Sequence, residues 1–465
     1  MNMQKIIFTI IYCSVLLSDS ITISPIIYFN YESSGSTWIT EDKTISLGGW
    51  GFKSIAEFSN FTIELDTYNN RFFGIKEKPN SFSSEQGLSW VGNDPDGEEF
   101  DFDVSNMKLS YDYKSVVFEF GKFNRKWGPG VSSLTLSNKS PSFVQFGFTW
   151  KLNNNLHFEY FHGSLRSLYV DETNTEAYEG IGVELPEYNR FVVGHRLDWK
   201  ISEKLHIGAS ELVVYGVREI DFLYLMPFIP FLSVQQYAGD LDNIQWAMDI
   251  SWKPTNSFML YSSLLMDEWN PSMTFSKPNR NWFAYQIGIK LNSLFMANDS
   301  LIAEYNWTDH RVYRHQNSIN DYYSHGYPLG FWGGPHSEEF FINYNFVRSG
   351  SIFNISYSNA SRGELTEEML VDQYDNVDYD RFSGIKETIS IFKFFVTRPL
   401  ENGFDLHFGI SDINWKNGKL TDNQNQENLI DISKTSLSIG FSYNFDIFNQ
   451  VASINEKSVS KTFLF

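Results

Sequence analysis

Apolar and polar residues alternate with a period of two along much of this 465-residue chain. In residues 244–252, for example, large apolar side chains at Ile244, Trp246, Met248, Ile250 and Trp252 are separated by smaller or polar ones. A period of two places successive side chains on opposite faces of an extended chain, so it predicts β-strands with one apolar face. The same pattern occurs at 61–67, 107–113, 116–120, 156–160, 283–291, 340–346, 404–410 and 437–447.

The composition excludes several other classes of protein. Aromatic residues make up 17% of the chain, which excludes global disorder and favours strands over helices. The formal net charge of −20 argues against a nucleic-acid partner, because binding to phosphates needs a basic surface. The longest apolar stretch beyond the N-terminus, residues 222–232, is interrupted by Pro227 and Pro230 and is shorter than the ~18 residues of a membrane-spanning helix.

The first 20 residues have the layout of a secretory signal peptide. Lys5 precedes an apolar run at 6–17, which is followed by small and polar residues. An N-terminal anchor helix is the alternative, but the run of about 12 residues is short for one. We therefore predict a signal peptide at 1–20 and a single domain at 21–465. The only cysteine, Cys13, lies in the leader, so the mature chain would lack disulfides and thiolate metal sites.

The connections between the alternating segments predict a membrane barrel. Short polar turns alternate with long polar connections such as 77–103 and 364–380, as in bacterial outer-membrane barrels. The segments approach the ~9–11 residues of a tilted transmembrane strand, and roughly 24–25 residues per strand and connection give about 18 strands. The predicted fold is all-β, a transmembrane antiparallel β-barrel surrounded by outer-membrane lipid, whose clean last strand ends near Phe448.

A secreted β-sandwich or propeller is the alternative fold, because its strands also alternate. Two features favour the barrel. The polar faces carry Gly, Ser, Asn and carboxylates, which suit a wet lumen, and aromatic residues lie towards the ends of apolar faces, as at Trp246 and Trp252.

Four sequence blocks occur in a recognisable order. Residues 121–138 read GKFNRKWGPGVSSLTLSN, and further blocks follow at 236–252, 264–269 and 304–336. Together they resemble the Wzi-type capsule assembly family of outer-membrane barrels. The resemblance implies 18 strands and a lectin-like, non-catalytic role in holding capsular polysaccharide or exopolysaccharide on the cell surface. Family members carry a plugging helical segment after the signal peptide, whereas residues 21–50 show no helical pattern.

The first candidate binding group is Arg125, Lys126 and Trp127, beside a Gly-Pro-Gly turn. Arginine can bind the carboxylate or phosphate of an acidic glycan in a forked geometry, and tryptophan can stack on a sugar face. In the alternative interpretation, the glycines and proline shape an inward-folding turn whose Arg125 pairs with a lumen carboxylate such as Glu119.

A second candidate group combines imidazoles, guanidinium groups and aromatic rings, a mixture that suits sugar binding. It consists of His310, Arg311, Arg314, His315, Tyr327, Trp332 and His336. The alternative is a loop folded into the barrel that uses these groups for internal hydrogen bonds. Because the histidines are separated by glycines and a proline, we predict neither a metal site nor a cofactor.

The acidic segment 94–103 is dense in oxygen ligands that could hold Ca²⁺. Glu99 stands where the helix-loop-helix calcium motif requires glycine, so we predict a solvated outer loop instead.

The sequence offers no catalytic pair. No histidine directly precedes Ser137 or Ser358, so neither has a candidate base. Lumen carboxylates such as Glu64 and Asp249 fit pore-lining groups better than a glycosidase pair. We therefore predict that the protein is not an enzyme. The alternative function is a passive porin for small solutes, in which these carboxylates would favour cations.

Overall fold

The computed structural model describes residues 20–35, 42–75, 81–89, 91–93, 98–173, 186–239, 241–274, 281–366, 368–369, 379–421, 427–445 and 448–451. The predicted signal peptide lies outside these residues, except for Ser20, which begins the first strand. The chain after residue 451 lies outside them as well.

Eighteen antiparallel strands form a closed barrel, which confirms the predicted fold. In chain order they are β1 Ser20–Glu32, β2 Ile45–Phe58, β3 Phe61–Phe73, β4 Glu99–Tyr113, β5 Val116–Phe123, β6 Phe143–Lys151, β7 Leu156–Ser164, β8 Arg190–Ser202, β9 Leu205–Gly216, β10 Asn243–Thr255, β11 Phe258–Glu268, β12 Trp282–Asn292, β13 Ser300–Thr308, β14 Ser337–Arg348, β15 Ser351–Arg362, β16 Glu387–Pro399, β17 Phe404–Thr421 and β18 Glu427–Asn444.

Each strand pairs with its neighbours in sequence, and β1 pairs with β18 to close the barrel. The seam runs from Ile26 opposite Asn444 to Glu32 opposite Ser438. A short strand, Phe448–Val451, continues it against Ser20–Ile23. Strand pairing therefore extends slightly beyond the predicted end near Phe448.

The described residues also form several shorter elements. They are helix α1 at Phe231–Ala238, the short strands Gly92–Asn93, Tyr323–Ser324 and Tyr327–Pro328, and the 3₁₀ turns Phe222–Leu225, Pro271–Met273, Ser318–Asn320 and Glu401–Gly403. None of the helices in the described part of the chain has the length and apolar character needed to cross a bilayer.

The prediction of a solvated acidic loop at 94–103 is wrong from Glu99 onwards, and residues 94–97 lie outside the described residues. Residues from Glu99 onwards belong to β4, because Phe100 and Phe102 pack on Phe72 with ring centroids 5.0 and 5.6 Å apart. Asp101 alternates with these rings and pairs with Arg71 at 2.6 Å. Acidic residues between buried aromatic rings are the polar face of a strand rather than a solvated loop.

The two ends of the barrel differ. Short turns, such as those at 59–60, 114–115 and 203–204, lie at the end that contains Ser20, and the long connections lie at the opposite end. In outer-membrane barrels the short turns are periplasmic and the long loops extracellular. Outward-facing side chains such as Phe118, Phe120 and Met248 remain exposed and form the apolar surface that lipid covers.

Candidate functional site

Two long connections fold into the lumen and pack on each other. We call residues 124–142, between β5 and β6, loop A, and residues 309–336, between β13 and β14, loop B. The Ser137 amide donates to the Leu329 carbonyl at 2.8 Å, and its hydroxyl donates to the Gly330 carbonyl at 2.6 Å. The Tyr313 hydroxyl donates to the Leu134 carbonyl at 2.5 Å. The loops therefore form one unit, which we call the plug.

The plug has an apolar core inside the barrel. Trp127 of loop A meets Phe161 of the wall edge-to-face at 5.3 Å and is 3% exposed. Phe331 and Trp332 of loop B belong to the same buried cluster. The wall residue next to the Trp127 ring is Gly194. A Cβ atom at this position would lie 2.8 Å from the ring. Packed side chains thus occupy the lumen at this level.

Loop A reaches across the lumen to the opposite wall. The Glu304 carboxylate of β13 accepts hydrogen bonds from the Val131 amide at 2.7 Å, the Ser132 amide at 3.0 Å and the Tyr261 hydroxyl at 2.7 Å. Gly130 lies against Gln286, and a Cβ atom at residue 130 would clash with that side chain. Glu304 therefore fixes the tip of loop A.

A charged cavity of about 470 Å³ lies beside the start of loop A. Its lining includes four carboxylates and three cations: Glu64, Asp66, Glu119, Glu159, Lys108, Arg125 and Lys126. Glu64, Glu119 and Glu159 each lie close to the short-turn end of their strands, so the cavity is on the periplasmic side of the barrel. Its volume is in the range of a small-molecule site, but its lining is more charged than the mostly apolar lining typical of such sites.

Arg125 connects the carboxylates of this cavity. Its guanidinium donates to Glu119 at 2.9 Å, to Gln145 at 2.9 Å and to Glu159. Lys108 lies 2.5 Å from Glu119 on the other side. The inward-folding turn with an Arg125–Glu119 pair, one of the two interpretations from sequence, is the geometry observed.

Six of the ten predicted binding residues are buried: Arg125, Trp127, Arg311, Tyr327, Trp332 and His336. Trp332 donates to Glu339 at 2.9 Å, and Arg311 pairs with Asp309 at 2.8 Å. His336 accepts from the Phe382 amide at 2.9 Å, and burial lowers its pKa to about 4. In this arrangement neighbouring protein groups cover these side chains.

The other four candidates keep some exposure. Lys126 is exposed and donates to the Val131 carbonyl at 2.9 Å. His310 lies 3.3 Å from Asp309 and 5.8 Å, ring to ring, from His336. Arg314 lies 3.3 Å from Asp321, and His315 Nδ1 accepts from the Asn317 amide at 3.1 Å. The structure thus separates Lys126, at the cavity, from three residues of loop B.

Two residues important for the plug were not singled out from sequence. Glu304 opens the 304–336 block, but its partners lie on a connection far away in sequence, so no local pattern indicates its role. Lys139 lacks a distinctive motif as well, yet it is buried and donates to the Ser83 and Glu85 carbonyls at 2.6 and 2.9 Å. Among the described residues, no three His, Cys, Asp or Glu side chains are grouped as metal ligands would be.

The family described as "Capsule assembly protein Wzi" matches residues 53–429. The chain belongs to the Wzi capsule assembly family. No curated protein matches it. Among solved structures, Escherichia coli Wzi, described as an outer-membrane carbohydrate-binding β-barrel involved in group 1 capsule assembly, is similar with a TM-score of 0.56 and 14% identity, over 93% of this chain and 85% of that one.

Two porin-like structures from Pseudomonas aeruginosa are also similar. OprD has a TM-score of 0.48 and 10% identity, over 92% of this chain and 96% of that one. OccD3 has a TM-score of 0.48 and 12% identity, over 92% and 91%. The Wzi family and the barrel fold place the protein in the bacterial outer membrane.

This Wzi-family barrel begins with strands where the resemblance implied a plugging helix. Residues 20–32 and 45–58 form β1 and β2, in agreement with the missing helical pattern. In the part of the chain that the structure describes, the lumen is filled by loops A and B instead.

The buried ammonium group of Lys139 gives the plug a pH dependence. Burial lowers its pKa to about 7, against about 10.4 in an unfolded chain. Protonation therefore favours the unfolded state, so the free energy of unfolding should fall as the pH falls from about 10 to 7. We expect Lys139→Met to remove this slope, a change of more than about tenfold in the unfolding equilibrium constant.

Urea unfolding at pH 7 and pH 10, followed by tryptophan fluorescence, measures this effect. Lys204→Met, which removes an exposed ammonium group at a short turn, is the control. If the free energy of unfolding depends on pH equally in the two variants, the pH dependence does not come from Lys139.

Proposed function

We propose that this Wzi-family protein binds capsular polysaccharide at the cell surface and attaches it there without catalysing a reaction. Membership of the capsule assembly family is the observation that carries the proposal. The packed plug supports it, because a lumen filled by ordered loops suits a binding protein better than a conduit for solutes.

The proposed contact surface is the half-buried part of loop B that contains His310, Arg314 and His315. Loop B connects strands at the end with the long connections, which is the extracellular end. A guanidinium beside imidazoles can bind the acidic groups and hydroxyls of a glycan. Arg125, Trp127, Arg311, Tyr327, Trp332 and His336 would then hold the shape of the plug beneath that surface.

A non-catalytic role agrees with the two serines considered for catalysis. Ser137 donates to the Gly330 carbonyl, and Ser358 donates to the Glu339 carboxylate at 2.8 Å. Both hydroxyls therefore serve as internal hydrogen-bond donors.

The first test uses the cell. A deletion strain should shed capsule into the medium and retain less on its surface, and the full-length gene should restore retention. A deletion strain that keeps as much surface-bound capsule as its parent would contradict the proposal.

Arg314 provides a test of the contact surface. We expect Arg314→Ala to weaken binding of an acidic capsular polysaccharide to the detergent-purified barrel about tenfold, because one charge-assisted hydrogen bond contributes about 1.5–3 kcal/mol. Arg166→Ala is the matched control, since Arg166 is a half-exposed loop arginine that pairs with Glu187. Equal losses in the two variants would contradict a specific role for Arg314.

The pH dependence of binding gives a second readout. Burial raises the pKa of Asp321 to about 6, although Arg314 and Arg190 act to lower it. Below pH 6 Asp321 is protonated, so Arg314 loses its ionised partner and its charge can act on the glycan. Binding should therefore be tighter at pH 5 than at pH 7.5, and Arg314→Ala should reduce the difference.

A passive porin is the second candidate function. Planar-bilayer recordings separate the two, because a plugged barrel gives little stable conductance and a porin gives large steps. The apolar core of the plug favours the first outcome.

A further inference from the structure

The connection between β9 and β10 folds over the outside of the barrel, unlike loops A and B. We call residues 217–239 the outer flap. Beneath it lie wall side chains that face outward, since they share a strand face with the exposed residues Met248 and Leu197. Val213 and Ile244, directly opposite each other on β9 and β10, are on this face, yet they are buried by Phe231 and Val234 of the flap.

The flap extends deep along the wall. The Phe228 ring lies 5.0 Å from Phe158, 6.5 Å from Phe148 and 6.1 Å from Trp150. Trp150 is the penultimate residue of β6, next to a periplasmic turn. Phe158 lies six residues below the extracellular end of β7, about 20 Å along the strand. The tip of the flap therefore lies at the level of the transmembrane wall.

The wall supplies hydrogen-bond partners for the flap backbone. Glu211 accepts from the Phe231 amide at 2.8 Å and the Leu232 amide at 3.0 Å. The Pro227 carbonyl lies 3.1 Å from His195 Nδ1, and the Tyr160 hydroxyl donates to the Tyr224 carbonyl at 2.8 Å.

These bonds suit a segment surrounded by hydrocarbon, where every backbone polar group needs an internal partner. Pro227 and Pro230 carry no amide hydrogen, which removes two donors. Glu211 and His195 lie 2.9 Å apart on an outward face. There they would face lipid directly if the flap did not cover them, at a high energetic cost.

Between residues 222 and 232, the outer surface of the flap is apolar. Residues 222–232 read FLYLMPFIPFL and contain no charged side chain. Phe222 is 79% exposed and Phe228 63%, and Met226 and Leu232 are exposed as well. The charged residue Arg218 lies at the base of the flap, where its guanidinium pairs with Asp242 at 2.7 and 2.8 Å.

We propose that the outer flap is immersed in the bilayer and that residues 222–232 contact lipid acyl chains. Three observations support lipid as the occupant. The exposed flap surface continues the lipid-facing surface of β8 and β10, its tip lies at transmembrane depth, and the wall is a hydrogen-bond partner for four of its backbone polar groups. This inference is independent of polysaccharide binding.

The test places a fluorescent label on a cysteine at the flap tip, Phe228→Cys, in a Cys13→Ser background. The protein is reconstituted in phosphatidylcholine vesicles whose acyl chains are brominated. Met248→Cys, on the bare barrel wall, is the lipid-facing reference, and Gln316→Cys, on the exposed part of loop B, is the water-facing one.

Quenching of the residue 228 label by brominated lipid should be within about twofold of the residue 248 label. Aqueous iodide should quench it at least about tenfold less than the residue 316 label. If Phe228→Cys fails to fold, Phe222→Cys provides the same measurement. If iodide quenches the label at residue 228 as strongly as the label at residue 316, the proposal is wrong. If disulfide-linked dimers form through residue 228 and brominated lipid does not quench the label, the flap contacts a second copy of the chain. That result would also overturn the proposal.

Discussion

Replacing Glu304 with alanine is expected to free loop A and open a conducting path through the barrel. The variant removes the acceptor of the Val131 and Ser132 amides and of the Tyr261 hydroxyl. The two backbone donors lose part-buried hydrogen bonds to a carboxylate, which contribute about 1.5–3 kcal/mol each. The tip of loop A should then leave the opposite wall, and planar-bilayer recordings should show large openings that the unmodified protein lacks.

Glu64→Ala is the control for this experiment. Glu64 is a lumen-facing glutamate that lines the cavity, so it tests whether the loss of any lumen carboxylate changes conductance. Equal conductance in the two variants, or a silent Glu304→Ala barrel that keeps the native stability, would contradict the anchoring role of Glu304.

The second large effect is expected at Arg125. Arg125→Met should destabilise the barrel by about 3 kcal/mol, because it removes a buried guanidinium group and leaves two half-buried carboxylates without their shared cation. Glu119 keeps Lys108 at 2.5 Å, so Glu159 should contribute most of the loss. Urea unfolding of the folded protein in detergent, followed by heat-modifiable gel mobility, measures the change.

A double variant identifies the cause. Arg125→Met combined with Glu159→Gln should recover much of the lost stability, because the uncompensated charge is removed together with its partner. If Arg125→Met leaves unfolding unchanged and lowers polysaccharide binding alone, Arg125 acts as a ligand-binding residue rather than as part of the plug.

The barrel itself could be predicted from sequence because its strands follow a local rule. Lipid covers one face and the lumen the other, so a period of two appears in the residues of each strand, as in 244–252. The same rule explains an error at Glu99, where alternation with Phe100 and Phe102 was hidden by a high density of acidic residues. Composition dominated that interpretation, and the aromatic period was the better guide.

The plug could be predicted only in part, because its contacts join distant segments. The sequence indicated the inward turn at Arg125 and the pair with Glu119, which are six positions apart. It did not indicate that Glu304 holds Val131, or that Lys139 lies against Ser83. The apolar stretch 222–232 was visible in the sequence, but its place on the outer wall depends on which strand faces surround it.

The reach of loop A has a consequence for biogenesis. Val131 and its acceptor Glu304 are 173 positions apart in the chain. While strands are added one after another, a partly assembled barrel that has not yet received β13 has nothing to hold that tip. Sealing is therefore a late event, and nascent intermediates in the membrane are expected to be leaky until β13, about two thirds of the way along the polypeptide, has been inserted.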